Sequence, residues 1–365
     1  MLNLKHGEFS LMNNDAMYME RCIELAKAGA GFVAPNPMVG SVIVYKNSII
    51  GEGYHQQYGR AHAEVNCISD AAIKHTADNE KSYNAILQMS TIYVSLEPCA
   101  HFGKTPPCAD LIISKKIPRV VIGCRDPFKE VDGKGIDKLL AAGITVQLGV
   151  IEEACKELNK RFFTFHASKR PYIILKWAQS ADLKIAGNDS RVYITNEITN
   201  RLVHKWRSEE ASILVGTNTA MIDDPILTNR LWTGNNPVRL VVDMNLRLPG
   251  SLKLFDNSIR TVVFNAQRHD ETGNLIHYKI HNQLPLARQV CDALYLLNIQ
   301  SVLVEGGRRL LQSFIEENLW DEARVITNED LFIGKGIAAP ELNAARPDSN
   351  TKILSDTIRY YKFKV

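Results

Sequence analysis

The chain has 365 residues, which at ~100–200 residues per domain implies two domains or three. Hydrophobic residues make up 45% and charged residues 23%, a globular balance that excludes a disordered tail and a fibre. The 43 basic and 40 acidic residues leave a formal charge of +3, too mild to point to nucleic acid or an anionic membrane. No apolar run approaches the ~18 residues of a membrane span, and no basic-then-apolar leader opens the chain. The expectation is a soluble, cytoplasmic protein; a homo-oligomer stays open. The 7 cysteines are odd in number and sparse, which argues against a disulfide framework and leaves metal binding, catalysis or core packing.

Residues 1–14 are polar and aperiodic and read as a frayed extension. A helix follows, with Asp15 as its cap, Met19, Cys22, Ile23 and Ala26 at helical spacing, and Gly29 as its stop. Val39–Tyr45 and Ile49–His55 read as strands around a turn at Lys46–Asn47. Next come a helix from His62 to Ile73, a polar loop, a strand at Thr91–Leu96 and a short helix after Pro106–Pro107. A strand at Arg119–Gly123, a helix near Lys134–Ala142 and a strand at Ile144–Gly149 complete an α/β layered domain. Glu152–Phe165 is helical, and Ser168–Pro171 reads as a boundary between the two halves because proline resists helix continuation. Beyond it, strands at Tyr172–Ala178, Ala211–Gly216, Val238–Asp243, Arg260–Phe264, Ser301–Glu305 and Glu322–Thr327 alternate with helices at Asn196–Arg207 and after Arg308. The domains are assigned as 1–150 and 151–365.

The first chemical pattern is His62-Ala63-Glu64 at a helix start, then Pro98-Cys99, then Cys108 after two prolines. One imidazole and two thiolates supply three ligands for a tetrahedral Zn²⁺, one per chain, and leave a fourth position for water. Glu64 is the candidate proton carrier. Two residues subtend ~200° on a regular helix, so His62 and Glu64 can face one pocket only if His62 sits at the very first turn. The order H-x-E then P-C matches the zinc nucleobase deaminases, although eight residues separate the cysteines here instead of two. The competing structural reading is a satisfied histidine, an exposed glutamate and two core cysteines. It does not explain three such pieces in this order, each at an element start. A purely structural zinc would need a fourth ligand; His101 is the nearby candidate and leaves Glu64 without a role. The insert Ala100–Pro107 carries His101, Lys104 and Thr105, suited to read a ring and hold a phosphate, or else to be a solvated loop.

In the second half, Gly334-Lys335-Gly336-Ile337-Ala338-Ala339 formally fits G-x-G-x-x-A, but too few residues follow it for the required βαβ unit, so it reads as a loop. Two other strand-to-helix turns, Ile213–Thr219 and Leu303–Arg308, offer glycines and free helix-start N–H groups to a pyrophosphate. Taken singly, each is equally an ordinary tight turn.

The strings EPCAHFGKTPPC at 97–108, HAEV at 62–65 and PNPMVG at 35–40 resemble the deaminase half of the bifunctional riboflavin-biosynthesis deaminase/reductase family. LKWAQSADLKIA at 175–186, LVGTNTAMIDDPILTNR at 214–230 and LVEGG at 303–307 resemble its reductase half. The resemblance implies a cytidine-deaminase-like three-layer α/β domain followed by a dihydrofolate-reductase-like α/β domain. It implies zinc-dependent deamination of a phosphoribosylated diaminopyrimidine, then NADPH-dependent reduction of the ribosyl side chain. It places Asn36, His101, Lys104 and Thr105 by the deaminase substrate and Glu64 as proton shuttle. It places Arg207, Leu227, Arg230 and Glu305 by the reductase substrate. Ala178, Ser190, Tyr193, Thr219, Asp223, Gly306, Gly307 and Arg308 fall by the cofactor. Leu183 stands where the family has glycine, and Tyr193 where it has tryptophan, which shifts the Ser190 contact in register. The alternative is a nucleic-acid or nucleoside deaminase with a non-catalytic accessory domain, which predicts a basic, aromatic-laced groove.

Overall fold

The structure, a computed structural model, describes residues 6–75, 80–100, 106–187, 192–342 and 346–363, without the side chains of 6–13, 80 and 81. His101, Lys104, Thr105 and Ser190 therefore lie outside the described residues. The chain divides into two compact units, Met1–Ser168 and Lys169–Val365.

The first unit runs α1 (His6–Lys27), β1 (Gly40–Tyr45), β2 (Ser48–Tyr54), α2 (Ala63–His75), α3 (Glu80–Leu87) and β3 (Thr91–Leu96). It continues through α4 (Cys108–Ser114), β4 (Arg119–Cys124), α5 (Lys134–Ala141), β5 (Thr145–Leu148), α6 (Glu152–Leu158) and α7 (Lys160–Ser168). The sheet order is β2-β1-β3-β4-β5, antiparallel on the β2 side and parallel from β3 to β5. Lys46 and Asn47 both take positive φ, the geometry of a tight hairpin turn. Helices cover both faces, giving three layers. Met19, Cys22, Ala26, Cys155 and Leu158 pack on one face. Cys67, Ile68, Leu87, Ala109, Ile112 and Leu139 pack on the other.

Three expectations change in this unit. The first helix begins at His6, not Asp15, because the Asp15 carboxylate is committed elsewhere. It pairs with Arg119 at 2.7 Å and accepts a hydrogen bond from Tyr93 at 2.7 Å. The loop after α2 contains a helix, α3, whose Tyr83 and Leu87 are buried in the core. The domain boundary moves from 150/151 to 168/169, inside the proline-marked stretch, because α6 buries Cys155 and Leu158 with Val121 and Cys124.

The second unit runs β6 (Tyr172–Ser180), β7 (Lys184–Gly187), α8 (Glu197–Glu209), β8 (Ser212–Gly216), α9 (Thr217–Asp223), β9 (Val238–Val242), β10 (Thr261–Asn265), β11 (Asp270–Thr272) and β12 (Leu275–Lys279). Then come α10 (Leu286–Leu296), β13 (Ser301–Val304), α11 (Arg308–Glu316), β14 (Glu322–Asn328), β15 (Gly336–Ala338), β16 (Ser349–Ile353) and β17 (Asp356–Lys362). Asn196 caps α8, accepting from Thr199 N at 3.0 Å. Ten strands form one sheet in the order β11-β12-β10-β9-β8-β13-β6-β14-β17-β16. Its centre, from β12 to β14, is parallel, and antiparallel strands close both edges. The Gly336–Ala338 segment is not a loop: it pairs with β7 in a separate two-stranded sheet. No helix of the described residues is long and apolar enough to cross a membrane. All seven cysteines are free.

Candidate metal centre and cofactor ledge

His62 directly precedes α2, and its carbonyl accepts the first helical bond, from Asn66 N at 3.1 Å. It thus stands in the cap position just before α2, which lets its ring share a pocket with Glu64. α2 is seated by close backbone packing on β2: a Cβ on Gly53 would lie 2.3 Å from Cys67 N. Cys99 leaves the end of β3, and Cys108 opens α4. His62 Nδ1 lies 3.6 Å from Cys99 Sγ and 3.3 Å from Cys108 Sγ. The three ligand atoms fall within 4.8 Å of one another. Tetrahedral Zn²⁺ bonds of ~2.0–2.3 Å put N and S ligands roughly 3.5 Å apart, so the donor set fits the ion without rearrangement. The hydrogen bond from the Cys108 thiol, followed by that of His62, draws the Cys99 thiol down to about 4, while the same bond and burial push Cys108 up. Glu64 is 3% exposed, and burial raises its carboxyl above the usual carboxylate range.

Beside this cluster His55 is buried and stands edge-on to His62, ring centroids 5.4 Å apart. Its Nδ1 lies 3.0 Å from Ala61 O, which can only accept, so Nδ1 carries the proton. Nε2 is then the acceptor for Asn36 Nδ2 at 3.2 Å, and Asn36 keeps Oδ1 as its acceptor for a ligand. The loop bearing Asn36 is held from α6: Asn159 accepts from Met38 N at 2.8 Å and donates to Met38 O at 2.8 Å. His55 and Asn159 were not singled out by the sequence. His55 stands seven residues before His62, a weak signal; Asn159 interrupts a helical pattern 121 residues away from Met38 and gives none.

In the second unit, β8 and β13 are parallel neighbours, so the helix starts after them share the sheet's C-terminal edge. Gly216 and Gly307 are the cap positions of α9 and α11, and neither helix start is capped by a side chain. Their φ values of −92° and −69° require no glycine. A Cβ would meet nothing closer than 3.9 Å at Gly216, and at Gly307 only Thr219 Oγ1 at 3.4 Å. Packing does not demand these glycines either. They leave bare peptide N–H groups on an open ledge, the donor set that a pyrophosphate needs. Gly306 differs: its Cβ would strike Leu310 Cδ2 at 2.5 Å, so that glycine serves helix packing. Thr219 adjoins Gly307, Asp223 ends α9, and Ala178 is half-buried on β6. Tyr193 is exposed, and Arg308 Nη2 lies 3.2 Å from Glu341 Oε1.

Behind the ledge sits a compact charge cluster. Arg207 grips Glu305 with two bonds, Nε–Oε1 at 3.0 Å and Nη2–Oε2 at 2.6 Å. Lys176 Nζ stands 3.9 Å from Glu305 Oε2. Arg207 and Lys176 hold the Glu305 carboxyl down to about 2 against its burial, and burial lowers Lys176. His204 is 1% exposed and falls to about 4 through burial and the charges of Arg207 and Arg230. Its Nδ1 accepts from Arg230 N at 3.0 Å, while the Arg230 side chain is exposed. Leu227 is buried as a whole residue, with its side chain in the core, at a φ of +54°. Lys176 was missed by the sequence reading. A lysine inside the apolar run of a central strand was the available signal.

The first unit matches the family model of the cytidine and deoxycytidylate deaminase zinc-binding region over residues 12–124. The second matches the RibD C-terminal domain over residues 171–341. The riboflavin biosynthesis protein RibD of Aquifex aeolicus is 38% identical over 345 residues, 93% of each chain. That of Escherichia coli K12 is 33% identical over 329 residues, 84% of this chain and 86% of its own. A diaminohydroxyphosphoribosylaminopyrimidine deaminase/5-amino-6-(5-phosphoribosylamino)uracil reductase from Thermotoga maritima superposes with a TM-score of 0.84 at 34% identity, covering 96% of this chain and 99% of its own. A cytidine-deaminase unit with a preformed His/Cys/Cys group and a dihydrofolate-reductase-like unit thus stand in one chain, and that chain belongs to the RibD family of deaminase/reductases of riboflavin biosynthesis.

Proposed function

We propose that the first unit hydrolytically deaminates 2,5-diamino-6-(5-phosphoribosylamino)pyrimidin-4(3H)-one. The second then reduces the ribosyl side chain of 5-amino-6-(5-phosphoribosylamino)uracil to the ribityl form with NADPH. The observation that carries this reading is the convergence of His62, Cys99 and Cys108 beside the buried carboxyl of Glu64. His62, Cys99 and Cys108 would hold a Zn²⁺, which would lower the pKa of a bound water to about 7. Glu64, buried beside the ligand group, would take up a proton and deliver it to the departing nitrogen. Asn36 offers its fixed Oδ1 to an amino group of the ring. His101, Lys104 and Thr105 complete this pocket in our reading.

NADPH supplies hydride, and the residues assigned to it are Ala178, Ser190, Tyr193, Thr219, Asp223, Gly306, Gly307 and Arg308. Arg230 meets the substrate phosphate, and Leu227 is assigned to the same substrate. Glu305 approaches the sugar, oriented by Arg207, whose Nε and Nη2 bond the carboxylate while Nη1 donates to Thr228 O. A reducing, cytoplasmic setting suits seven free thiols.

The test is a coupled assay on one preparation, given the phosphoribosylated diaminopyrimidine. Both ammonia release and NADPH oxidation are expected; ammonia alone would remove the reductase assignment, and neither would remove both. Gly307→Asp should weaken NADPH binding, read by fluorescence titration, and leave ammonia release intact, since a Cβ there meets only Thr219 Oγ1 at 3.4 Å while the carboxylate would repel the cofactor phosphates.

A further inference from the structure

Glu97 directly follows β3, two residues before Cys99, and the deaminase chemistry above makes no use of it. Its side chain is 4% exposed. Oε1 accepts from Gly135 N at 3.0 Å and Ile136 N at 3.3 Å; Oε2 accepts from Gly133 N at 3.0 Å and Asp126 N at 3.3 Å. Four backbone donors on one carboxylate fill about all four of its acceptor sites.

Three of the four donors open α5, whose cap residue Gly133 offers no side chain of its own. Glu97 therefore caps that helix from a distant strand and sets a full negative charge at its positive end. Gly135 makes the approach possible: a Cβ there would lie 1.9 Å from Pro98 O. The start of α5 thus lies directly against the peptide that joins Pro98 to Cys99. On the other side, α4 holds Cys99 through Cys108 N to Sγ at 3.4 Å and Ala109 N to Cys99 O at 3.1 Å.

We infer that Glu97 is a positioning residue of the metal centre: by clamping the start of α5 onto the Pro98–Cys99 peptide, it fixes where Cys99 Sγ stands relative to His62 and Cys108. The inference rests on the zinc-site reading and extends it beyond residues 12–124, the stretch that matches the zinc-binding region, to the segment Asp126–Ile136. Groups that orient metal ligands in this way commonly contribute ~10–100-fold to metal affinity.

Two variants approach the same peptide by different routes. Glu97→Gln keeps the volume but removes the charge and turns an NH₂ group toward backbone donors. Gly135→Ala keeps the Glu97 charge and pushes chiefly on Pro98 O, with Glu97 Oε1 3.2 Å from the added Cβ. In the full-length protein, both should weaken Zn²⁺ in a chelator-competition titration by ~10–100-fold. Both should shift the thiolate-to-metal and ligand-field bands of the Co²⁺-loaded protein, with NADPH oxidation on the deaminated pyrimidine unchanged. Leu87→Ala, a buried core change on α3 outside the Glu97 network, is the control for lost stability and should keep wild-type affinity. Wild-type Zn²⁺ affinity and Co²⁺ spectrum in both variants would overturn the inference, as would equal weakening in Leu87→Ala. Should Glu97→Gln not fold, Gly135→Ala decides alone. A wild-type protein that binds no Zn²⁺ would instead overturn the metal reading, and this inference with it.

Discussion

The two units carry their chemistry in different parts of the residue. In the first, one imidazole and two thiols meet within 4.8 Å, beside the start of α2, just past the end of β3 and at the start of α4. In the second, the proposed cofactor ledge is bare backbone at Gly216 and Gly307, and behind it Arg207 and Lys176 gather around the Glu305 carboxylate. A site of the first kind is written in residue types and spacing. A site of the second kind is written in the absence of a side chain, which every tight turn shares. The first site should therefore fail by loss of chemistry with its scaffold standing, the second by loss of the scaffold around a stranded charge.

The sharpest break is at Glu64. Glu64→Gln keeps the shape and removes the base, so deamination should fall ~10²–10⁴-fold while zinc content stays near one per chain and NADPH oxidation is untouched. Loss of zinc in that variant, read by metal analysis, would make the carboxylate a ligand and erase the contrast.

Arg207→Ala tests the opposite mode. It leaves the Glu305 carboxylate buried without its two-point partner, and breaking such a pair typically costs ~3–5 kcal/mol. Lys176 remains near, so the loss should sit toward the lower end, seen as earlier unfolding of the second unit in denaturant with zinc binding unchanged. Adding Glu305→Gln should restore part of it.

His204 sharpens the comparison through pH. Its folded pKa of about 4 lies below the ~6.5 of an unfolded histidine, so the unfolded chain binds more protons between those values. Neutral His204 thus contributes stability that is complete above about pH 6.5 and is lost as pH falls toward 4. His204→Asn, which keeps an acceptor for Arg230 N, should flatten that part of the wild-type stability-against-pH curve; an unchanged slope would show that His204 already titrates normally.

The smallest effect is at Leu183, the leucine in the family's glycine position. Its φ is +59°, left-handed backbone that costs a leucine roughly 1–2 kcal/mol. Part of any gain is offset by the greater freedom of an unfolded glycine, so Leu183→Gly should stabilise the second unit by up to ~1 kcal/mol. Calorimetric midpoints would register it.

The sequence carried the parallel strands and the metal triad because both depend on local pattern: apolar runs bounded by turn residues, and ligand types at element starts. It lost what depends on distant partners. Asp15 has the composition of a helix cap, yet Arg119, 104 residues on, claims its carboxylate and leaves it inside a longer helix. β16 is exposed along almost its whole length, so its residues show no alternation to read. Lys176 and Glu305 look like separate strand residues until the parallel register of β6 and β13 brings them together.

The break between α6 and α7 at Asn159 has a consequence for how such a chain could be divided or assembled over evolutionary time. The carboxamide that steadies the Asn36 loop lies beyond the last strand of the first sheet, in a segment that looks like connector. A gene split after the final β-strand would deliver a unit with all three proposed metal ligands and Glu64, yet without the brace of the Asn36 loop. The natural seam for trading one activity between chains is therefore Ser168/Lys169. A self-sufficient deaminase module has to carry its two closing helices with it.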